Sequence, residues 1–225
     1  MEASKIRAKR VASDKANSIR ILIGCRLTYA YLLAPVLNDS DDASKGSSFR
    51  TGVLISKKAP AEALSVLRQA VADAVNVGVK TKWGGRKPAD LQLPLNDGDK
   101  KYQEDPEKYA EFKGMINFTA KRREEDGRPV LKKNGRIVDS AGQIESGDWC
   151  VVDISFYPFS NKKKGVAVGL NAVTLIEEGE RFSGGPSQTS IDEEANSLYG
   201  DLLAGLSDDP FGGAGQDDDP LAGLL

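Results

Sequence analysis

The chain has 225 residues, 40% of them hydrophobic and 28% charged, the balance of a globular protein with one real core. With no histidine and two cysteines, it cannot assemble a four-ligand Cys/His zinc site or a histidine-dependent nucleophile. The net charge of −2 hides a split: residues 183–225 hold nine of the 33 acidic side chains and no lysine or arginine, leaving 24 acidic against 31 basic groups, or +7, in residues 1–182.

Residues 1–17 are polar, basic and aperiodic, which reads as a flexible arm. The arm lacks the apolar core of a secretory signal, and no later run reaches the roughly 18–20 apolar residues of a membrane helix. A cytoplasmic protein is expected. From Ile19 a long strand alternates Ile19, Ile21, Ile23, Cys25 and Leu27 on one face with Arg20, Arg26 and Thr28 on the other. Pro35 and the run NDSDDASKGSS predict a loop. A strand over 48–56 follows, with Val53 and Ile55 inward and Arg50 outward. Pro60 suits the first turn of a helix, and Leu64, Leu67, Val71, Ala74 and Val75 keep helical spacing to a stop at Gly78. Residues 83–99, WGGRKPADLQLPLNDGD, read as a loop ending in an Asn-Asp-Gly turn. Asp105 and Pro106 start a short helix over EKYAEF. GMINFTAKR is a strand with Ile116 and Phe118 inward, and with Asn117, Thr119 and Lys121 outward before Arg122 and Arg123. RPVLKKNGRIVD predicts a hairpin about Asn134-Gly135. Cys25 and Cys150 both fall at core parity on strands, so no disulfide is expected.

The stretch from Trp149 to Ile176 carries the strongest functional signal. Cys150, Val152, Ile154 and Phe156 form an apolar face, while the opposite face mixes Trp149, Tyr157 and Phe159 with Asp153 and Ser155. The return arm places Ala167, Gly169 and Asn171 on one face, and Lys162, Lys163 and Lys164 sit at the turn. Rings beside lysines on an open sheet suit single-stranded nucleic acid, because bases stack and phosphates seek charge. The alternative is that Tyr157 and Phe159 fill a second core while the lysines keep the hairpin tip soluble.

After Arg181 the composition turns to Gly, Ser, Asp and Pro, which predicts a disordered acidic tail. Asp208-Asp209-Pro210-Phe211-Gly212 and Asp218-Asp219-Pro220-Leu221-Ala222, the second preceded by Asp217, form a near-repeat ahead of Leu224 and Leu225. An acidic cluster followed by apolar residues is bait for a basic, apolar groove on a partner protein, and a solubilising tail is the alternative. A basic body with an acidic tail also fits a polyanionic ligand with an internal competitor. The best enzymatic candidate is Asn96-Asp97-Gly98-Asp99, with Glu104 or Asp105, as the magnesium site of a nuclease; turn chemistry is the competing reading.

The predicted fold is mainly β: an OB-like five-stranded barrel over 18–182 with an inserted helix and added hairpins. The segments at 83–99 and 146–185, with CRLTYAYLLAP at 25–35 and the strand at 48–56, resemble the phage-encoded single-stranded DNA-binding proteins long catalogued as a domain of unknown function. The resemblance implies an OB-fold body, sequence-tolerant binding of single-stranded DNA, and an acidic tail that recruits replication or recombination proteins. It also implies a role in the host-cell cytoplasm without catalysis or cofactor. Such tails often end in an aromatic residue, whereas this one ends Leu224-Leu225. Self-association stays open. The residues expected to meet DNA are Trp149, Tyr157 and Phe159 by stacking, and Lys121, Arg122, Lys162, Lys163, Lys164, Arg26 and Arg50 by charge. The competing readings are the nuclease and a non-catalytic adaptor working through its tail.

Overall fold

The computed structural model describes residues 2–39, 42–140 and 143–182. The acidic tail, with its two clusters and terminal leucines, lies outside them. The elements run β1 (Ala8–Val11), β2 (Ile19–Leu37), β3 (Ser47–Ser56), α1 (Ala61–Thr81), β4 (Asn96–Asp97), α2 (Gly98–Glu104), β5 (Met115–Arg123), β6 (Val130–Lys133), β7 (Arg136–Ile137), β8 (Trp149–Ser160) and β9 (Lys164–Glu177).

Five strands close on themselves. β5 pairs β3, β3 pairs β2, β2 pairs β8 and β8 pairs β9, all antiparallel, and a parallel bridge between Lys121 and Gly169 joins β9 back to β5. This is the expected OB-like barrel, with β6, β7 and β4 as additions outside the ring. Its interior is the apolar parity of each strand. Ile21, Ile23, Cys25 and Leu27 of β2, Val53 and Ile55 of β3, and Val152, Ile154 and Phe156 of β8 have no exposed surface. Phe118 of β5 meets Phe156 across the interior, with ring centroids 6.2 Å apart. Helix α1 caps this core through Leu64, Leu67, Ala70, Val71 and Ala74. Cys25 and Cys150 sit opposite each other on β2 and β8, buried and free, as expected.

Several boundaries differ from the sequence reading, each for a local reason. The segment expected to be a loose arm supplies β1, which pairs with β2 from Ala8↔Ile23 to Val11↔Arg20. Ile6 is fully buried beside it, and Arg10 bonds Asp73 of α1 at 2.5 Å. One apolar residue and four ladder positions suffice to hold a segment whose composition is otherwise that of a tail. β2 continues through Pro35, because its register with β3 is broken between Tyr31 and Val36 and no ladder bond is required of the proline. α1 passes Gly78 by three residues; Gly78 is there to seat Trp83, whose ring lies 2.5 Å from where a Cβ would be. Trp83 is itself core, and its Nε1 donates to the Phe159 carbonyl at 3.0 Å. The short helix expected over EKYAEF is reduced to a 3-10 turn, Ala110–Phe112, after Asp105 accepts from the Lys108 amide at 3.0 Å. An unexpected helix forms before it over Gly98–Glu104, where Asp97 caps by accepting from the Asp99 amide at 2.9 Å. The Asn134-Gly135 turn forms as predicted, with φ of 51° and 75°.

Candidate nucleic-acid interface

The outer face of the barrel carries two adjoining hollows that share Lys121. The first lies over β2, β3 and β5 and is lined by Tyr29, Tyr31, Arg50, Gly52, Thr119 and Lys121. Tyr29 and Tyr31 are 46% and 43% exposed, more than a ring that belongs to the core. β2 bulges between Thr28 and Tyr31, and Tyr29 is held at φ 48°. A left-handed backbone at a non-glycine residue costs about 1 kcal/mol or more and is retained where it aims a side chain to some purpose. The Arg50 guanidinium lies 5.6 Å from the centre of the Tyr31 ring. Gly52 keeps the floor low, because a Cβ there would sit 2.5 Å from the Thr28 methyl.

The second hollow, of about 300 Å³, lies where the β8–β9 hairpin meets the end of β5. Tyr157, Gly169 and Asn171 line it on the hairpin side, Lys121, Arg122 and Arg123 on the β5 side, and Lys15 and Lys82 at the rim. Five cations therefore surround it against the single carboxylate of Asp126. Tyr157 is 40% exposed and stands beside Gly169, whose missing side chain would come within 3.4 Å of the Tyr157 ring. Burial raises the pKa of Tyr157, so the hydroxyl keeps its proton at neutral pH. Lys121 is pulled the other way, below the ordinary lysine value, first by desolvation and then by Arg50. Arg123 also lines a third hollow with Asn38, Lys45 and Glu125. Rings and cations thus run in one band across β2, β3, β5 and the hairpin.

Residues 19–202 match the family described as Enterobacter phage Enc34, ssDNA-binding protein. The chain belongs to this family. Among curated relatives, protein p50 of Acyrthosiphon pisum secondary endosymbiont phage 1 is 24% identical over 196 residues, spanning 80% of this chain and 95% of that one. Among solved structures, the single-stranded DNA-binding protein from bacteriophage Enc34 in complex with ssDNA superposes with a TM-score of 0.61 at 20% identity, over 76% of this chain and 97% of that chain. A second structure, of the single-stranded DNA-binding protein from bacteriophage Enc34, gives 0.59 at 21% identity, over 82% and 99%. At such identities the superpositions establish a shared fold.

Within this family member, the residues singled out from sequence do not all converge. Tyr157, Lys121, Arg122 and Arg50 lie in the band. Lys162, Lys163 and Lys164 are exposed at the hairpin tip, and none pairs with a carboxylate among the described residues. Phe159 is half-buried, and its ring lies 2.8 Å from where a Cβ on Gly165 would stand. Trp149 is at the far end of β8, half-buried, with Arg26 5.8 Å from its ring centre. Arg26 is a structural tie: its Nε donates to the Gly147 carbonyl at 2.8 Å, its Nη2 donates to the Glu180 carbonyl, and it stacks 4.2 Å from the Phe182 ring. Arg122 is also engaged, donating to the Gly127 and Asp126 carbonyls at 2.8 and 2.6 Å, so it contributes charge rather than free donors. The shelf along β8 is interrupted where Asp153 accepts from Arg20 at 2.9 and 2.7 Å.

The acidic candidate does structural work. Lys57 bonds Asp97 and Asp99 at 2.5 and 2.6 Å, and Asp99 also accepts from the Gly114 amide at 2.6 Å. Lys57 is the main cause holding both carboxylates below the usual range. Among the described residues no cluster of three or more acidic or cysteine side chains is placed to hold a metal. Sequence reasoning missed Tyr29, Tyr31, Arg123, Lys15 and Lys82. The tyrosines had a signal, two rings spaced by two beyond an apolar strand, but the bulge that turns them outward has none.

Proposed function

We propose that the chain is a sequence-tolerant single-stranded DNA-binding protein that coats and protects single strands during phage replication or recombination. The observation that carries this reading is the continuous band from Tyr31 and Arg50 through Lys121 to Tyr157, in which exposed rings alternate with cations. Stacking on rings is indifferent to base identity, and lysine or arginine on phosphate is indifferent to sequence, so tolerance follows from the chemistry. The family's namesake, solved with ssDNA, supports the same ligand. Titration of labelled single- and double-stranded oligonucleotides across a salt series tests it. Single strands should bind more tightly, and each phosphate contact should add about −0.7 to the slope of log affinity against log salt. Replacing Lys162, Lys163 and Lys164 together by alanine should flatten that slope, and an unchanged slope would place the strand away from the hairpin tip. Equal binding of duplex would refute the single-strand reading.

The acidic segment is assigned two roles on charge alone. Nine carboxylates tethered to a +7 body act as an internal competitor at a local concentration of roughly millimolar. Displaced by DNA, the clusters Asp208-Asp209 and Asp217-Asp218-Asp219, with Phe211, Leu221, Leu224 and Leu225, are offered to a replication or recombination protein. Deleting residues 186–225 should therefore tighten DNA binding at low salt and make little difference above ~0.5 M, where attraction is screened. Superimposable titrations at every salt concentration would contradict the competition.

A further inference from the structure

We infer that the hollow walled by Tyr157, Gly169 and Asn171 is a nucleobase subsite in which Asn171 Oδ1 accepts a hydrogen bond from the Watson–Crick edge of an unpaired base. The inference rests on the single-strand reading above and adds what that reading lacks, a contact to the base edge. Asn171 is the extra residue of a β-bulge: Asp153 pairs with Ala172 and Ile154 with Leu170, so nothing on β8 opposes it. Asn171 shares the parity of Ala167 and Gly169 along β9, and the bulge leaves its position without a cross-strand partner. Here the amide is turned toward the hollow that Tyr157 and Gly169 also line.

The orientation of that amide is settled by its neighbours. Asn171 Nδ2 donates to Asp153 Oδ1 and to Ser155 Oγ, both at 2.9 Å. A carboxylate only accepts, so the nitrogen must face Asp153, and both amide hydrogens are then used. Asp153 is in turn fixed by the two bonds from Arg20. What remains is Oδ1, an acceptor on a rigid mount that receives no hydrogen bond from any described residue, on a side chain whose residue borders a space of about 300 Å³. That volume is at the small end of ligand sites, suited to one base lying against the Tyr157 ring with its phosphate toward Lys121.

A lone acceptor is an unusual reader of bases because it does not choose among them. Adenine offers N6–H, cytosine N4–H, guanine N1–H and thymine N3–H, all on the Watson–Crick edge. In a duplex every one of these is engaged by the opposite base. The same contact is thus open to any single-stranded base and closed to any paired one, so it contributes selectivity for single strands without selectivity for sequence.

The test compares full-length protein on oligothymidylate and on an equally long oligomer of N3-methylthymine, which lacks the donor. One neutral hydrogen bond corresponds to roughly a 3- to 12-fold change in affinity. Wild type should bind the methylated strand weaker by about that factor, whereas Asn171→Ala should bind both strands alike, at about the wild-type affinity for the methylated one. Equal binding of the two strands by wild type would overturn the inference, as would undiminished discrimination by a folded Asn171→Ala. Should that variant not fold, a difluorotoluene strand decides on wild type alone: it keeps thymine's shape without the N–H, and undiminished affinity for it would overturn the subsite. Failure of wild type to bind oligothymidylate at all would instead refute the single-strand reading.

Discussion

Tyr157→Ala is expected to weaken binding of a single-stranded oligonucleotide by about 5- to 150-fold, read by fluorescence titration at fixed salt, while the melting temperature changes little. Base stacking on an aromatic side chain contributes roughly 1–3 kcal/mol per base, which sets that range. The fold should tolerate the change because the ring projects from the outer face of β8, beside Gly169 rather than into the core. Tyr157→Phe should retain most of the affinity, since the ring face and not the hydroxyl does the stacking. If Tyr157→Ala binds as tightly as wild type, the rings of the hairpin are not where bases lie.

The neighbouring residue should behave in the opposite way. Phe156 alternates with Tyr157 along β8 and points into the barrel, fully buried against Phe118. Phe156→Ala removes a ring from the centre of a closed sheet, where five paired strands limit how far the walls can collapse into the void. Such truncations cost about 3–5 kcal/mol, and a domain of this size loses roughly 2–4 °C per kcal/mol, so the melting temperature should fall by about 6–20 °C. At a temperature where the variant is folded, its DNA affinity should stay close to wild type. A stable Phe156→Ala with lost DNA binding would reverse the two faces of β8 and with them the placement of the strand.

These paired outcomes show what the sequence made legible. Period-two alternation in 19–27, 48–56 and 149–159 marks the barrel interior correctly, because a closed sheet must put one parity of every strand inside. It also puts Tyr157 outside. What alternation does not carry is any break in the ladder. Tyr29 and Tyr31 turn outward through a bulge in β2 that no residue type announces. Arg26 shows the converse failure: its parity is outward as read, yet the segment 180–182 returns to occupy it. A cation read from sequence is a charge at a position, and whether it is free depends on carbonyls contributed from 121 and 154 residues away. Lys57, unremarked in the sequence, pairs with Asp97 and Asp99 in the same way.

Ultraviolet cross-linking of the full-length protein to an oligomer of 5-iodouracil, with the modified peptides identified by mass spectrometry, locates the strand directly. The cross-links should fall on Tyr31, Tyr157 and their neighbours on β2, β5 and the β8–β9 hairpin, and should be lost from the hairpin peptide in Tyr157→Ala. Cross-links confined to Trp149 and the peptides around Arg26, or to residues 2–17, with none on the hairpin, would contradict a DNA path across the Tyr31–Lys121–Tyr157 band.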